Sequence, residues 1–344
     1  MQQIAPTSQV SLAEARRFSV APMMEWTDRN CRFLHRLLTR HSLLFTEMVT
    51  SAALVHGDPD RHLAFSDAEQ PLAVQLGGSD PAELARAVEI CDRYGFAEIN
   101  LNVGCPSDRV QSGRFGACLM AEPNLVAECV RAMRAATDTP VTVKCRLGID
   151  DQDTEESLDR FADAMVEAGS EVLYVHSRKA WLKGLSPKEN RTVPPLDYPR
   201  VYRLAERLPV PVMINGGIET LEAAKDHLQH VSGVMLGRAA YHSPMLLARV
   251  DAKIFGDAHP APTLQTVIAA MADYAEAEMG KGARLNQITR HMLGLANGLA
   301  GARQFRQILS VDAVKPGAGP DLLFRALAAV DAQSVNSSAL LVTA

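Results

Sequence analysis

PLAVQLGGSDPAELARAVEICDRYGFAEINLNVG, Pro71–Gly104, contains the unit from which most of the chain is built. Leu72–Gly77 is a short apolar run interrupted only by Gln75, and Glu98–Gly104 is a second such run. Between them, Ser79-Asp80-Pro81 is a helix start with proline at the first helical position, and Pro81–Tyr94 carries apolar residues at helical spacing. Two nearly continuous apolar strands joined by a helix form a parallel pair with a covering crossover.

The same alternation extends in both directions. The strands expected are Phe18–Met23, Leu43–Val49, Leu72–Gly77, Glu98–Gly104, Val141–Leu147, Glu171–His176, Pro211–Gly216 and Gly233–Gly237. Helical patterns fall between them at Asp28–Thr39, Pro81–Tyr94, Pro123–Ala136, Glu155–Ala168, Pro199–Leu208 and Leu221–Leu228. Eight repeats in about 235 residues are the size of a (β/α)8 TIM barrel. A doubly wound open sheet would want GxGxxG after its first strand, and here that strand runs into Ala-Pro-Met. Beyond Phe255-Gly256 the polar, proline-containing Asp257–Thr263 reads as a linker, and strand alternation gives way to helical spacing. The expected organisation is a tail over 1–16, the barrel over 17–256, a small all-helical C-terminal domain over 257–334 and a tail over 335–344.

The 344 residues carry a formal net charge of −5, which argues against bulk polyelectrolyte binding. The local distribution says more. Residues 178–191 hold five Lys or Arg against one Glu, and residues 281–306 hold five and no acid, so a local anionic partner is compatible with an acidic total. The N-terminus lacks the apolar core of a secretory signal, and no apolar run is long enough to span a bilayer. Six cysteines without CxxC or zinc spacing suit reduced thiols in a cytoplasmic enzyme without a metal site.

In a (β/α)8 barrel the reacting groups gather where strands end. Here the ends read Ala21-Pro22-Met23, Glu47-Met48, Gln75, Asn102 with Cys105, Lys144 with Arg146, His176, Asn215-Gly216-Gly217 and Gly237-Arg238. Repeated burial of polar groups is costly unless they are paired, and a chain that does it at nearly every strand is building a site. The glycines after the last two strands suit a phosphate held by backbone N–H groups, with Arg238 adding one charge. Lys144 is compatible with a Schiff-base lysine, a paired core cation, or a partner for an electron-rich cofactor edge. Gln75 and Lys144 together suit an isoalloxazine ring, and one phosphate beside one polar ring edge points to FMN. His176 is compatible with a satisfied core histidine as well as a site residue.

The segment NLNVGCPSDRVQSGRFGAC, Asn100–Cys118, starts as a strand, breaks at Gly104 and presents Cys105 ahead of a glycine-punctuated polar loop. Such a thiol is either packing or chemistry. Its place among the other polar strand ends favours chemistry, while Cys118 reads as structural.

Several stretches resemble the tRNA-dihydrouridine synthases, and more narrowly their A-type bacterial branch. They are APMMEWTDRNCRFL from Ala21, EINLNVGCPSDRVQSGRFGACLM from Glu98, VTVKCRLGIDDQDT from Val141, VHSRKAWLKGLSPKENRTVPPLDY from Val175, INGGIETLEAA from Ile214 and ITRHMLGLANGLAGARQFRQILS from Ile288. The resemblance covers Arg17–Ser310. It implies an FMN-containing barrel with a helical tRNA-binding domain that reduces the C5=C6 bond of D-loop uridines at positions 20 and 20a, with NADPH as electron donor. It places Ala21, Pro22, Met23, Gln75, Lys144, His176, Asn215, Gly216, Gly217, Gly237 and Arg238 around FMN. It makes Cys105 the proton donor, and Asn102, Lys188, Arg191, Arg303 and Arg306 tRNA contacts. No stable protein partner, no membrane and a monomeric state are expected.

Uracil is an enone, so hydride arriving at C6 creates negative charge that a proton must quench at C5. A free thiol, with a pKa of about 8.5, is mostly protonated at neutral pH and can serve as that acid. The alternatives are an FMN-dependent barrel reducing a small enone or pyrimidine, which has no use for a basic helical appendage, and a tRNA-binding protein with an inert barrel.

Overall fold

In a computed structural model, residues 10–107 and 113–330 are described. They form two compact units, one of residues 10–25, 41–107 and 113–237, the other of residues 26–40 and 238–330.

The first unit is an eight-stranded all-parallel barrel. Its strands are β1 (Phe18–Val20), β2 (Leu44–Thr50), β3 (Leu72–Gly77), β4 (Glu98–Asn102), β5 (Val141–Arg146), β6 (Leu173–His176), β7 (Val212–Asn215) and β8 (Gly233–Leu236). They pair in the order β1-β8-β7-β6-β5-β4-β3-β2. The ring closes where Ser19 bridges Leu43 and the Val20 N–H donates to the Leu43 carbonyl at 3.0 Å. Each expected strand is present: β3 has the expected bounds, β2 is shifted by one residue, and the other six are trimmed by one to three residues. Helices follow at Pro81–Asp92, Pro123–Ala135, Glu156–Glu167, Tyr198–Arg207 and Leu221–His227. Three of their starts are capped by side chains: Asp80 accepts from the Glu83 N–H, Asp197 from the Arg200 N–H and Thr220 from the Ala223 N–H.

Strand side chains alternate between the helix layer and the interior. On β4, Ile99 and Leu101 alternate with Glu98, Asn100 and Asn102, and all five residues are buried. The interior stripe is therefore polar, and it is hydrogen-bonded from end to end. Glu98 accepts from the Thr142 hydroxyl at 2.6 Å, Asn100 donates to that hydroxyl at 2.9 Å, and the Gln75 amide donates to Asn100 at 2.8 Å. Asn102 closes the series by donating to the Gln75 carbonyl oxygen at 2.8 Å.

The expectation of a tail over 1–16 differs from what is found from Val10 onward. Leu12–Ala15 is a short helix with a capping box between Ser11 and Glu14, and Ala15 is wholly buried. The residue after it, Arg16, reaches under the barrel to Glu98, with Nε 2.7 Å from the carboxylate. Burial opposes the Arg16 charge, but the Glu98 carboxylate, helped by Tyr174 and Glu171, holds the guanidinium above its ordinary pKa. Deleting one half of a buried pair strands the other, at a cost of roughly 3–5 kcal/mol. Arg16→Ala should therefore lower the urea midpoint sharply; an unchanged midpoint would mean that Glu98 finds another partner.

In the second unit, the helix Arg29–Leu38, which follows β1 in sequence, packs against Leu264–Met279. Phe33 stacks on Tyr274 with ring centroids 4.1 Å apart, and the Asn30 amide oxygen accepts from the Tyr274 hydroxyl at 2.8 Å. Further helices are Leu285–Thr289, Ala302–Val311 and residues 321–330. The sequence places the junction after Gly256, whereas the second unit takes in residues 238–330 and the segment Trp26–Arg40. The reason is side-chain packing between helices far apart in sequence, which hydrophobic periodicity does not report. The expected tail over 335–344 lies outside the described residues. Among the described residues, no helix is long and apolar enough to cross a membrane.

Candidate active site

The polar stripe of the barrel ends at the thiol loop. The Asn102 side-chain oxygen accepts from the N–H groups of Gly104 and Cys105, each at 3.0 Å, and so turns the chain out of β4. The Gly104 carbonyl accepts from Arg146 Nε at 2.8 Å, and the Cys105 carbonyl accepts from the Ala117 N–H at 2.9 Å. The Cys105 thiol is half-buried and lies 3.5 Å from the Ser107 hydroxyl. The anchors from Asn102, Arg146 and Ala117 grip backbone, and the Cys105 side chain itself meets only the Ser107 hydroxyl among the described residues. Residues 108–112 of the same loop lie outside the described residues.

On the neighbouring strands the ionisable groups are cations. Lys144 Nζ donates to the Asn215 side-chain oxygen at 3.1 Å, and the Asn215 amide donates to the Met235 carbonyl at 2.7 Å. Burial, then the Arg146 charge, pull the Lys144 pKa down to about 8. The Cys105 thiol acts on Lys144 in the opposite direction, which places the two groups in one neighbourhood. His176 is held neutral, its pKa well below the ordinary value, by burial and then by Arg146, Lys144, Arg178 and Arg191. Among the described residues its buried Nδ1 has no hydrogen-bond partner. A cluster of cations around an orphaned ring nitrogen is an environment built for something anionic and polar.

The turn after β7 needs its glycines. Gly216 has φ +111°, and a Cβ there would sit 3.1 Å from His176 Cε1. Gly217 has φ +69°, and a Cβ would come within 2.6 Å of Leu196 Cδ1 and 2.7 Å of the Tyr198 hydroxyl. That hydroxyl donates to the Gly216 carbonyl at 2.8 Å and fixes the turn. Gly237 is less constrained, since a Cβ would make only ordinary contacts with Met23 and Ala21. Ala21 is buried and its N–H donates to the Leu236 carbonyl at 2.8 Å, whereas Pro22 and Met23 are half-buried. Arg238 is half-buried and is the first residue of the second unit after the barrel.

The barrel thus brings Gln75, Asn102, Cys105, Lys144, His176, Asn215, Gly216 and Gly217 to the ends of successive strands. Gln75 and Asn102 have much of their polarity committed. Gln75 both donates to Asn100 and accepts from Asn102, and the Asn102 oxygen serves two backbone N–H groups. Lys188 and Arg191 are exposed on the loop after β6, and Arg191 is close enough to act on both Lys144 and His176. Arg303 and Arg306 are exposed on the helix Ala302–Val311 of the other unit. Arg306 donates to Asn297 at 3.1 Å, and Arg303 lines a cleft of about 650 Å³ with Gln304, Gln307, Asp312 and Arg325.

Two residues of the site carry more than their sequence position suggests. Arg146 is buried and spans three carbonyls: Gly104 through Nε, and Lys179 at 3.0 Å and Asn190 at 2.9 Å through Nη1. Asn190, wholly buried, organises the loop after β6 from within. The spacing of Thr142, Lys144 and Arg146, matched by Glu98, Asn100 and Asn102, is the signal that marks Arg146 as inward-facing. Nothing local marks Asn190.

A family model described as dihydrouridine synthase (Dus) matches residues 19–327. A Vibrio parahaemolyticus protein named tRNA-dihydrouridine(20/20a) synthase is 56% identical over 316 residues, covering 91% of this chain and 97% of that protein. Proteins of the same name from Vibrio cholerae and Xanthomonas axonopodis pv. citri are 54% and 55% identical. Those alignments span 93% and 94% of this chain, and 98% and 96% of the relatives.

Proposed function

The chain belongs to the dihydrouridine synthase family, and from that premise we propose that it is a flavin-dependent tRNA-dihydrouridine(20/20a) synthase. Its reaction is reduction of the C5=C6 bond of a D-loop uridine, with FMN as resident cofactor and NADPH as electron source.

The residues present fit FMN. The unpartnered Nδ1 of His176 and the Lys144 ammonium, which meets an amide oxygen but no carboxylate among the described residues, both offer themselves to a polar, electron-rich ligand. The positive-φ glycines after β7 open backbone to close approach. Ala21, Pro22 and Met23 would line the ring, Gln75 and Lys144 would meet its polar edge, and His176, Asn215, Gly216, Gly217, Gly237 and Arg238 would hold the ribityl and phosphate side. Bound there, FMN supplies the hydride for C6 of the uracil.

The chain's own chemistry is the proton. Cys105 delivers it from its thiol to C5, while Asn102, Arg146 and the Ala117 N–H keep the loop in place. Lys144 supports negative charge as it develops, because a buried cation acts through a low effective dielectric. The observation that carries the reading is this backbone-clamped, half-buried thiol beside a buried lysine and the Arg146 guanidinium.

To enter a barrel mouth the uridine must leave its stack, at a cost of a few kcal/mol. Lys188, Arg191, Arg303 and Arg306 are the phosphate contacts that offset this cost. The purified protein should be yellow and, with NADPH, should form dihydrouridine at positions 20 and 20a of unmodified tRNA. Turnover of free uracil derivatives with tRNA untouched would overturn the assignment. Affinity for tRNA should fall steeply with salt, and Arg303→Ala should lower the slope of log K against log salt by about one. An unaltered slope, read by filter binding, would remove Arg303 from the phosphate contacts.

A further inference from the structure

The loop after β6 holds an exposed tryptophan in a fixed position. Trp181 is 37% exposed, although tryptophan is ordinarily well buried. A solvent-facing indole on a mobile loop would need no explanation, but this loop is pinned on both sides of the ring. The Trp181 N–H donates to the Asn190 side-chain oxygen at 2.8 Å, and the Asn190 amide donates back to the Trp181 carbonyl at 2.9 Å. Ala180 exchanges backbone hydrogen bonds with Gly148 and Asp150, at 2.9 and 2.8 Å, and the Leu182 N–H donates to the Asp150 carboxylate at 2.8 Å.

The clamp is tied to the thiol. Arg146 donates to the carbonyls of Lys179 and Asn190 on the tryptophan loop and to the Gly104 carbonyl on the cysteine loop. One buried guanidinium thus ties the backbone of the tryptophan loop to the backbone beside Cys105. The surroundings of the ring are basic. The Lys179 ammonium stands 5.9 Å from the indole centroid, steadied by the Gln152 carbonyl at 2.7 Å, and Lys183, Lys188 and Arg191 are exposed on the same loop.

An exposed aromatic ring among cations is the pattern that binds single-stranded nucleic acid, with the ring stacking on a base while the cations follow the backbone. We propose that Trp181 is a stacking shelf for an unpaired RNA base adjoining the uridine that is reduced. The inference rests on the tRNA reading above and adds to it a residue and the moiety that residue holds. Extracting one uridine from its stack exposes the faces of its neighbours, and an indole on a loop tied to the cysteine loop takes up one of them. Stacking tolerates any base identity, so the shelf recognises an unpaired base and not a sequence.

The test uses the flavin-loaded enzyme and full-length tRNA. Trp181→Ala should lower kcat/KM about tenfold, mainly through KM, and Trp181→Phe should stay within about threefold of wild type. NADPH oxidation without tRNA and the melting temperature should not move, since the clamp holds Trp181 by its backbone. Placing an abasic nucleotide on one side or the other of the target should cost the wild type a similar factor at one of the two sites. Trp181→Ala should lose nothing further on that substrate. The proposal is overturned if Trp181→Ala stays within twofold of wild type, if Trp181→Phe is equally impaired, or if the tryptophan and abasic losses multiply at both sites. Should Trp181→Ala not fold, Trp181→Leu with the same abasic substrates gives the same decision. Absence of dihydrouridine with the wild-type enzyme would instead overturn the proposed function.

Discussion

Cys105→Ala is expected to abolish dihydrouridine formation, by 10²-fold or more, while flavin binding and NADPH oxidation continue. The magnitude is that of removing a positioned general acid, roughly 10²–10⁴-fold. The selectivity follows from how the loop is built. Asn102, Arg146 and Ala117 hold the N–H and C=O groups of Gly104 and Cys105, so trimming the side chain leaves each of those bonds in place. Cys105→Ser should be nearly as inactive, because a hydroxyl of the same reach is a far weaker acid. The other cysteines offer no substitute. Cys31, Cys91, Cys129 and Cys145 are buried, and burial pushes the thiols of the last three up to about 12. Cys118 is half-buried, with its thiol also raised by burial and donating to the Phe115 carbonyl at 3.2 Å. Mass-spectrometric mapping of dihydrouridine after single turnover with pre-reduced enzyme reads the outcome directly. Wild-type yield from Cys105→Ala would end the proton-donor role.

Lys144→Met should have two opposite effects. Flavin-dependent reduction should fall by at least 10²-fold, since the cation assigned to the electron-rich ring edge is gone. The flavin-free protein should become more stable. A buried ammonium held at about 8 instead of 10.5 carries an unfavourable charge on the order of 3–4 kcal/mol, and a thioether of similar length removes it. The sign with pH is determined. Below pH 8 both folded and unfolded chains hold the proton, so the wild type bears the full penalty. Between about 8 and 10.5 only the unfolded chain still holds it, so wild-type stability climbs with pH. The stability advantage of Lys144→Met, measured by urea denaturation at pH 7 and pH 9.5, should therefore shrink at the higher pH. A difference independent of pH would mean that Lys144 does not titrate in that range. The same reasoning makes affinity for an anionic ligand at this position weaken as pH passes 8.

Much of this was legible in one dimension. The eight strands announce themselves because their helix-facing positions are aliphatic, as with Val141 and Val143 or Ile99 and Leu101. The thiol, the lysine and the double glycine interrupt those runs where a barrel keeps its chemistry. The short helix at Leu12–Ala15 was harder to see, because four residues carry too little periodicity to separate from a tail. The pairing of Arg29–Leu38 with Leu264–Met279 was hidden for another reason. An amphipathic face shows that a helix packs against something, but it does not name the partner.

By itself the sequence determined the order of strands and helices, the side chains placed at each strand end, and the family to which these belong, because those follow from local periodicity and contiguous motifs. Tertiary structure alone decided which polar groups satisfy one another. Arg16 meets Glu98 from 82 positions away, and Asn100 meets Thr142 from 42. Arg146 joins Gly104 to Asn190 only because closing the barrel sets β4, β5 and β6 side by side. A hydrogen bond depends on distances of a few tenths of an ångström. Hydrophobic spacing along a chain brings residues to the same face, but only the closed sheet brings their polar atoms within that reach.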